Sequence, residues 1–217
     1  MNPIHLYAKE NYRYAKTTVN IRNRPNIKGK IIGQIYWNEK IRIIKKVNKE
    51  WYLAFYKKKK GYICSKYLRK NRAEYKAYCP PCKSTFKSYE DADCITDNNN
   101  FAQGRLKKKY HLDCQSGIWM VGNRYCIAVG SYYTKQIGVK TDLVLSHNGR
   151  KHVLKCITAD SKADKDTINK HRVHTDGSVV EFIVQTSILP YKARIRGDVS
   201  FAGKQFKGKV KQFRFYK

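Results

Sequence analysis

Acidic residues are scarce in this chain: 16 Asp and Glu stand against 46 Lys and Arg among 217 residues, a formal charge of +30. So large an imbalance implies an anionic partner, whether nucleic acid, an anionic membrane or a bacterial wall rich in phosphate or carboxylate polymers. Long apolar runs are missing as well. No stretch approaches the ~18 residues that a membrane span needs, so no membrane partner is expected. Residues Met1 to Glu10 lack a basic region followed by an apolar run, so no secretory signal is expected. A protein made in the cytoplasm would then reach any outside target by another route. Proline is sparse too, at five residues, but hydrophobic content is not: 41% apolar and 13% aromatic residues are enough to build cores.

The charge is uneven. Residues 1–70 carry a net +16, residues 71–124 a net +3 and residues 125–217 a net +11. This pattern predicts two cationic modules, 1–70 and 121–217, with a connector over 71–120. Both modules read as β structure. Val19 and Ile21 alternate with Asn20 and Arg22. Ile31–Ile35, Ile41 with Ile43, and Glu50–Tyr56 give further strands, and Lys57–Gly61 reads as a basic hairpin tip. Strands this short and this closely spaced predict a small β-barrel.

Four segments of the first module carry a resemblance: Val19-Asn20-Ile21-Arg22, Gly29–Ile35, Trp51-Tyr52-Leu53 and Gly61-Tyr62-Ile63 with Tyr67-Leu68. Together they look like a bacterial SH3-like (SH3b) domain. The resemblance implies binding of cell-wall peptides or glycans, with Trp51, Tyr52, Tyr62, Lys58 and Lys59 as the wall-binding candidates. The run Lys57–Lys60 departs from the family and suggests an anionic ligand. Read as residues alone, Trp51, Tyr52 and Tyr62 are either barrel core or a ligand platform.

The connector holds Cys79-Pro80-Pro81-Cys82, with Cys94 and Cys114 beyond. A Cys-x-x-Cys knuckle is half of a zinc site, but no second knuckle follows and His111 lies near only one further cysteine. Thiols are therefore expected, with no metal and no cofactor. Seven cysteines, an odd number, agree with that. The histidines His171 and His174 read as an exposed loop.

In the second module Tyr125–Val129, Thr141–Leu145, His152–Ile157, Val179–Val184 and Val210–Tyr216 read as strands, His147–Arg150 as a hairpin turn, and Ser187–Ala193 as a short helix. Three carboxylates of this acid-poor chain, Asp160, Asp164 and Asp166, follow Cys156-Ile157 within seven residues. Acids at a strand exit are either chemistry or a solvated polar loop.

Three segments here carry a second resemblance. Ile127-Ala128-Val129 running to Ile137–Thr141, then Ala159-Asp160, then Val180-Glu181-Phe182 (with Glu where the family has Asp) are similar to double-psi β-barrels of wall-active proteins. That group includes the 3D domain, rare-lipoprotein-A-like proteins and the barrel of lytic transglycosylase A. The module also looks like an uncharacterised domain of bacteriophage proteins. Where the 3D pattern has Asp-Pro after the first strand, this chain has Gly130-Ser131.

The resemblance implies glycan cleavage in the manner of a lytic transglycosylase, with Asp160 as acid/base, Glu181 beside it and Asp164 as a further candidate. The expectation is thus an all-β, peptidoglycan-active phage protein, located in the virion or at the host wall, with other virion proteins as further partners. The alternatives are a non-enzymatic wall-binding or virion component, and a non-specific nucleic-acid binder.

Overall fold

The alternation read in the sequence becomes two sheets on two separate units, residues 1–73 and 74–217. The structure, a computed structural model, describes residues 11–81 and 84–217. The expectation of no secretory signal falls on residues outside that range, as does Cys82 of the Cys-x-x-Cys pair.

The first unit is seven antiparallel strands: β1 Tyr12–Ala15, β2 Val19–Arg22, β3 Ile31–Ile35, β4 Lys40–Lys46, β5 Trp51–Tyr56, β6 Lys59–Cys64 and β7 Leu68–Arg69, in the order β3-β2-β6-β5-β4-β1-β7. Val19, Ile21, Ile35, Ile41, Ile43, Ala54, Ile63 and Leu68 turn inward to form its core, and Tyr52 and Tyr56 pack against them. Period-two alternation is what puts these side chains on one face.

The basic hairpin tip is tighter than the sequence suggests. Tyr56 pairs with Lys59, so only Lys57 and Lys58 form the turn, and Lys59, Lys60 and Gly61 already belong to β6. Both turn lysines have positive φ, 40° and 66°. That is the two-residue turn whose twist matches a hairpin but which asks for Asn-Gly. Gly61 is required for a different reason: a Cβ there would lie 2.4 Å from Ile21 Cγ2 in the core.

The second unit begins at Glu74, and residues 71–120 are not a connector. They contribute β8 Tyr75–Tyr78, β9 Lys87–Asp91, helix α1 Ala102–Lys107, β10 His111–Asp113 and β11 Ile118–Val121. The strands β12 Arg124–Gly130, β13 Lys140–His147 and β14 Arg150–Lys162 follow, then the short pair β15 Thr167–Ile168 and β16 Arg172–Val173, then β17 Val180–Val184, helix α2 Tyr191–Arg196 and β18 Lys209–Tyr216. The sheet runs β10-β11-β17-β12-β14-β13-β18-β8, with β9 also on β17. The last strand, β18, pairs with the first, β8, so the unit closes on its own ends. Two pairs, β12–β14 and β9–β17, are parallel in an otherwise antiparallel sheet.

This sheet has apolar material on both faces. On one, Ile127, Val129, Leu143, Phe182, Phe206 and Phe213 join the main core. On the other, Cys126, Ala128, Ile157, Ala159 and Ile183 meet Ala92, Ile95 and Leu106, which the supposed connector supplies. Charge neutrality and turn residues made 71–120 look like a linker, yet its buried Ala, Ile and Leu cover a sheet face that would otherwise be exposed. A buried ion pair stitches β12 to β13: Arg124 Nη1 lies 3.1 Å from Asp142 Oδ1 and also donates to the carbonyls of Thr141 and Cys156. The Tyr216 hydroxyl donates to the other Asp142 oxygen at 2.6 Å.

Candidate functional site

Strand β14 is where sequence and site diverge most instructively. It pairs in register with β12 as Tyr125–Cys156, Cys126–Ile157 and Ile127–Thr158, then skips a residue, so that Ala128 faces Asp160 and Gly130 faces Lys162. One extra residue is a β-bulge, and beyond it every side chain changes face. Without the bulge Ala159 would stand opposite Ala128. With it, Asp160 and Lys162 join the face that carries Cys126 and Ala128. The strand runs on to Lys162, so Asp160 lies within a strand and not at its exit.

On the far side of β12, Ala128 also pairs with Glu181 of β17. Asp160 and Glu181 therefore flank one alanine, with Cα atoms about 10 Å apart as two strand spacings require. The next strand, β9, sets Ser88 opposite Glu181 and Glu90 opposite Ile183. Four strands thus bring Asp160, Lys162, Glu181, Ser88 and Glu90 to one face. Asp160 and Glu181, both expected as site residues, are brought together. Asp164 is not: it sits in the turn Asp164–Asp166, where its carboxylate accepts from Ser131 Oγ and lies 3.3 Å from Lys170 Nζ. Those contacts hold its carboxyl below the usual range, the Ser131 bond most of all.

Within the cluster, Lys162 Nζ meets Glu181 Oε2 at 2.6 Å, with the lysine side chain only 3% exposed. Burial pulls the lysine below its ordinary value, and the charge of Glu181 works against that. Ser88 Oγ approaches the second Glu181 oxygen at 3.4 Å, and Gln103 Nε2, from α1, donates to Asp160 Oδ1 at 3.2 Å. Glu90 is the group the sequence reading missed. Burial, together with the negative charges of Asp160 and Glu181, pushes its carboxyl up to about 7, against a smaller opposing pull from Lys162. Tyr110 stands near the same acids, and burial raises its hydroxyl well above its usual value, which keeps it a proton donor.

The only trace of Glu90 in the sequence is Tyr89-Glu90-Asp91, which reads as polar surface. Alternation in β9 separates the two acids: Asp91 caps the following turn by accepting from Asp93 N at 2.9 Å, while Glu90 turns to the cluster. At the end of β12, Gly130 has no room for a side chain, because a Cβ would lie 2.0 Å from the Lys170 carbonyl. The segment 163–179 folds back over that end of the face. His171, within it, is buried beneath Tyr132, not exposed as the sequence suggested. Among the described residues no group of three or more His, Cys, Asp and Glu is arranged to hold a metal ion.

The wall-binding candidates of the first unit do not form one site. Trp51 is 6% exposed and floors a cavity of about 520 Å³, shared with Asn20, Arg22, Ile27, Lys49, Lys66 and Tyr67. Asn48 fixes this tryptophan by accepting from its backbone N–H at 2.9 Å. Tyr52 packs on the core, Tyr62 is half-buried on β6 opposite Arg22, and Lys58 in the turn and Lys59 at the start of β6 are exposed and do not line this cavity. The exposed Ile27 and Tyr67 were the missed residues here; an unpaired apolar side chain in the turn Arg24–Lys28 was their one signal.

The chain is 27% identical over 73 residues to "Uncharacterized protein YfhK" of Bacillus subtilis (strain 168), a match covering 34% of this chain and 42% of that protein. It therefore spans less than half the length of that relative. Residues 17–69 match the family described as Bacterial SH3 domain. With the strand order, the inward aliphatic residues and the Trp51 cavity already in place, residues 17–69 are similar to a bacterial SH3 domain in sequence.

Proposed function

We propose that this is a cell-wall-active protein: the SH3 unit binds peptidoglycan, and the second unit cleaves its glycan at the carboxylate face. Bacterial SH3 domains commonly bind wall material, and the Trp51 cavity is of ligand size. The observation that carries the catalytic half is the gathering of Glu90, Glu181 and Asp160 on one sheet face, with Glu90 largely buried. A carboxyl with a value near 7 is half protonated at neutral pH, which suits a general acid.

On this reading the work expected of Asp160 alone is divided. Glu90 gives its proton to the leaving glycosidic oxygen as the C1–O bond breaks. Asp160 takes the proton of the attacking hydroxyl as the new C1–O bond forms. Attack by the sugar's own hydroxyl leaves an anhydro end, and attack by water leaves a reducing end. Glu181, held by Lys162, keeps the Glu90 proton in place by its negative charge. The two parallel pairs β12–β14 and β9–β17 support a double-psi-like barrel for this unit. The phage setting rests on the resemblance of the second unit, and antibody labelling of purified particles would test it.

The deciding experiment is release of soluble fragments from purified peptidoglycan by the full chain, with Glu90→Gln and Asp160→Asn beside it and products weighed by mass spectrometry. Anhydro ends lost in both variants support transglycosylation. Release that survives both substitutions removes the carboxylate face from the reaction. Wall binding with no release at all leaves an adhesive protein.

A further inference from the structure

A second basic feature lies at the opposite end of β14. The β13–β14 hairpin turns through Asn148 and Gly149, both at positive φ, 48° and 75°. Beside it runs the 3-10 turn Lys204–Phe206, fixed by a bond of 2.9 Å between His152 Nε2 and the Gln205 carbonyl. The start of β18 is pressed against the same hairpin, since a Cβ on Gly208 would lie 2.5 Å from the Ser146 carbonyl. Between these elements is an open cavity of about 630 Å³ lined by Arg150, Lys151, Lys204, His147 and His152. No acid lines it.

We propose that this cleft binds the phosphodiester backbone of an anionic wall polymer, of the polyol-phosphate kind. The proposal rests on the wall reading above. Three permanent cations converge on one concavity with no carboxylate to neutralise them, so the local potential is positive and focused. The Arg150 guanidinium supplies paired donors that fit phosphate oxygens, the lysines act as point charges, and the Asn148 and Gln205 amides can serve phosphate or polyol hydroxyls. Among the described residues no Phe, Tyr or Trp lines the cavity, so a nucleic-acid strand would find charge there but no platform on which its bases could stack. Arg150 and Asp160 are ten residues apart on one strand, about 33 Å at the strand rise. A polymer held at the cleft would thus leave the carboxylate face free.

The test uses the full chain and synthetic poly(glycerol phosphate) as the probe, titrated over a range of salt. Arg150, Lys151 and Lys204 are exposed, so charge changes there leave the core intact. The variant R150Q/K151Q/K204Q should bind at least tenfold more weakly. Its log affinity against log salt should lose roughly two to three units of slope, about 0.7–0.9 for each released counterion. The matched variant K45Q/K46Q/K70Q removes the same charge from exposed positions of the first unit and should bind as the wild type does. Equal loss in both would mean undirected charge and would overturn the proposal, as would no loss in the first. Single-stranded DNA bound as tightly and lost in the same variant would reassign the cleft to nucleic acid. Binding to peptidoglycan stripped of phosphate polymer reads the SH3 unit separately. Its failure would sink the wall reading while leaving the polymer measurement to stand or fall alone.

Discussion

Lys162 and Glu181 reach each other across β12 at 2.6 Å, the lysine rising beside Gly130 and the glutamate beside Ala128. Two of the smallest residues in the strand between them leave the space for that contact. Removing one partner of so buried a pair is costly, because the other charge is left without compensation. Lys162→Met should destabilise the second unit by about 3 kcal/mol, read by urea unfolding. It should also raise the Glu90 value further, since Lys162 is the charge that opposes the shift. A carboxyl-carbon NMR titration would show this directly.

Glu90 gives the fold a pH signature of definite sign. Its carboxyl is raised from 4.5 to about 7 on folding, so the native state holds this proton more tightly than the unfolded chain does. Its contribution is full below about pH 4.5 and is lost as pH rises through 7, at most about 3 kcal/mol for 2.5 units. Glu90→Gln should abolish that trend. The stability difference between variant and wild type should therefore grow in the variant's favour between pH 4.5 and 7 and stay level above it.

Arg124 and Asp142 form the other buried pair, and here the acid also accepts from Tyr216 at 2.6 Å. Asp142→Ala should cost about 3–5 kcal/mol. Tyr216→Phe, which leaves the ion pair intact, should cost about 1.5–3 kcal/mol, as a hydrogen bond to a charged group does. Thermal unfolding of the two variants side by side would separate the contributions.

The turn at Lys57-Lys58 is a strained place for two lysines. Replacing them by Asn-Gly should stabilise the first unit by about 1–2 kcal/mol, seen as slower amide exchange at Ala54 and Ile63. Wall affinity should be unchanged if the Trp51 cavity is the binding site, because neither lysine lines it. A fall in affinity would return the turn to the binding surface.

Much of this architecture is legible in the chain. Val19/Ile21 and Ile41/Ile43 alternate as half-buried strands do, and Asn148-Gly149 announces its hairpin. The strands β12, β13, β14, β17 and β18 lie within a few residues of their sequence expectations. The short helix lies slightly late, at Tyr191–Arg196, after Pro190 sets its start. What failed was long-range. Lys87, a fully buried side chain, sits in a strand that reads as polar, because its ammonium finds Ser200 Oγ at 2.8 Å and the Gly208 carbonyl at 2.5 Å. Nothing local to Lys87 encodes partners more than a hundred residues away. Asp160 and Glu181 could be singled out because acids are rare here. Glu90 could not, since only the parallel pairing of β9 with β17 carries it to them.

The bulge at Ala159 makes the chemistry of β14 separable from its fold. Deleting Ala159 would take out the extra residue and leave Asp160 in plain register with Ala128, on the face it already occupies. Were the bulge instead closed with every residue kept, Ala159 would stand opposite Ala128, and Asp160 and Lys162 would turn to the opposite face. A register shift of one residue, and not the loss of one, thus separates a face that carries Asp160 with Lys162 from one that carries neither. The spare residue at Ala159 therefore serves as a register lock: the pairing of β14 with β12, and not local sequence alone, decides which side chains meet Glu181.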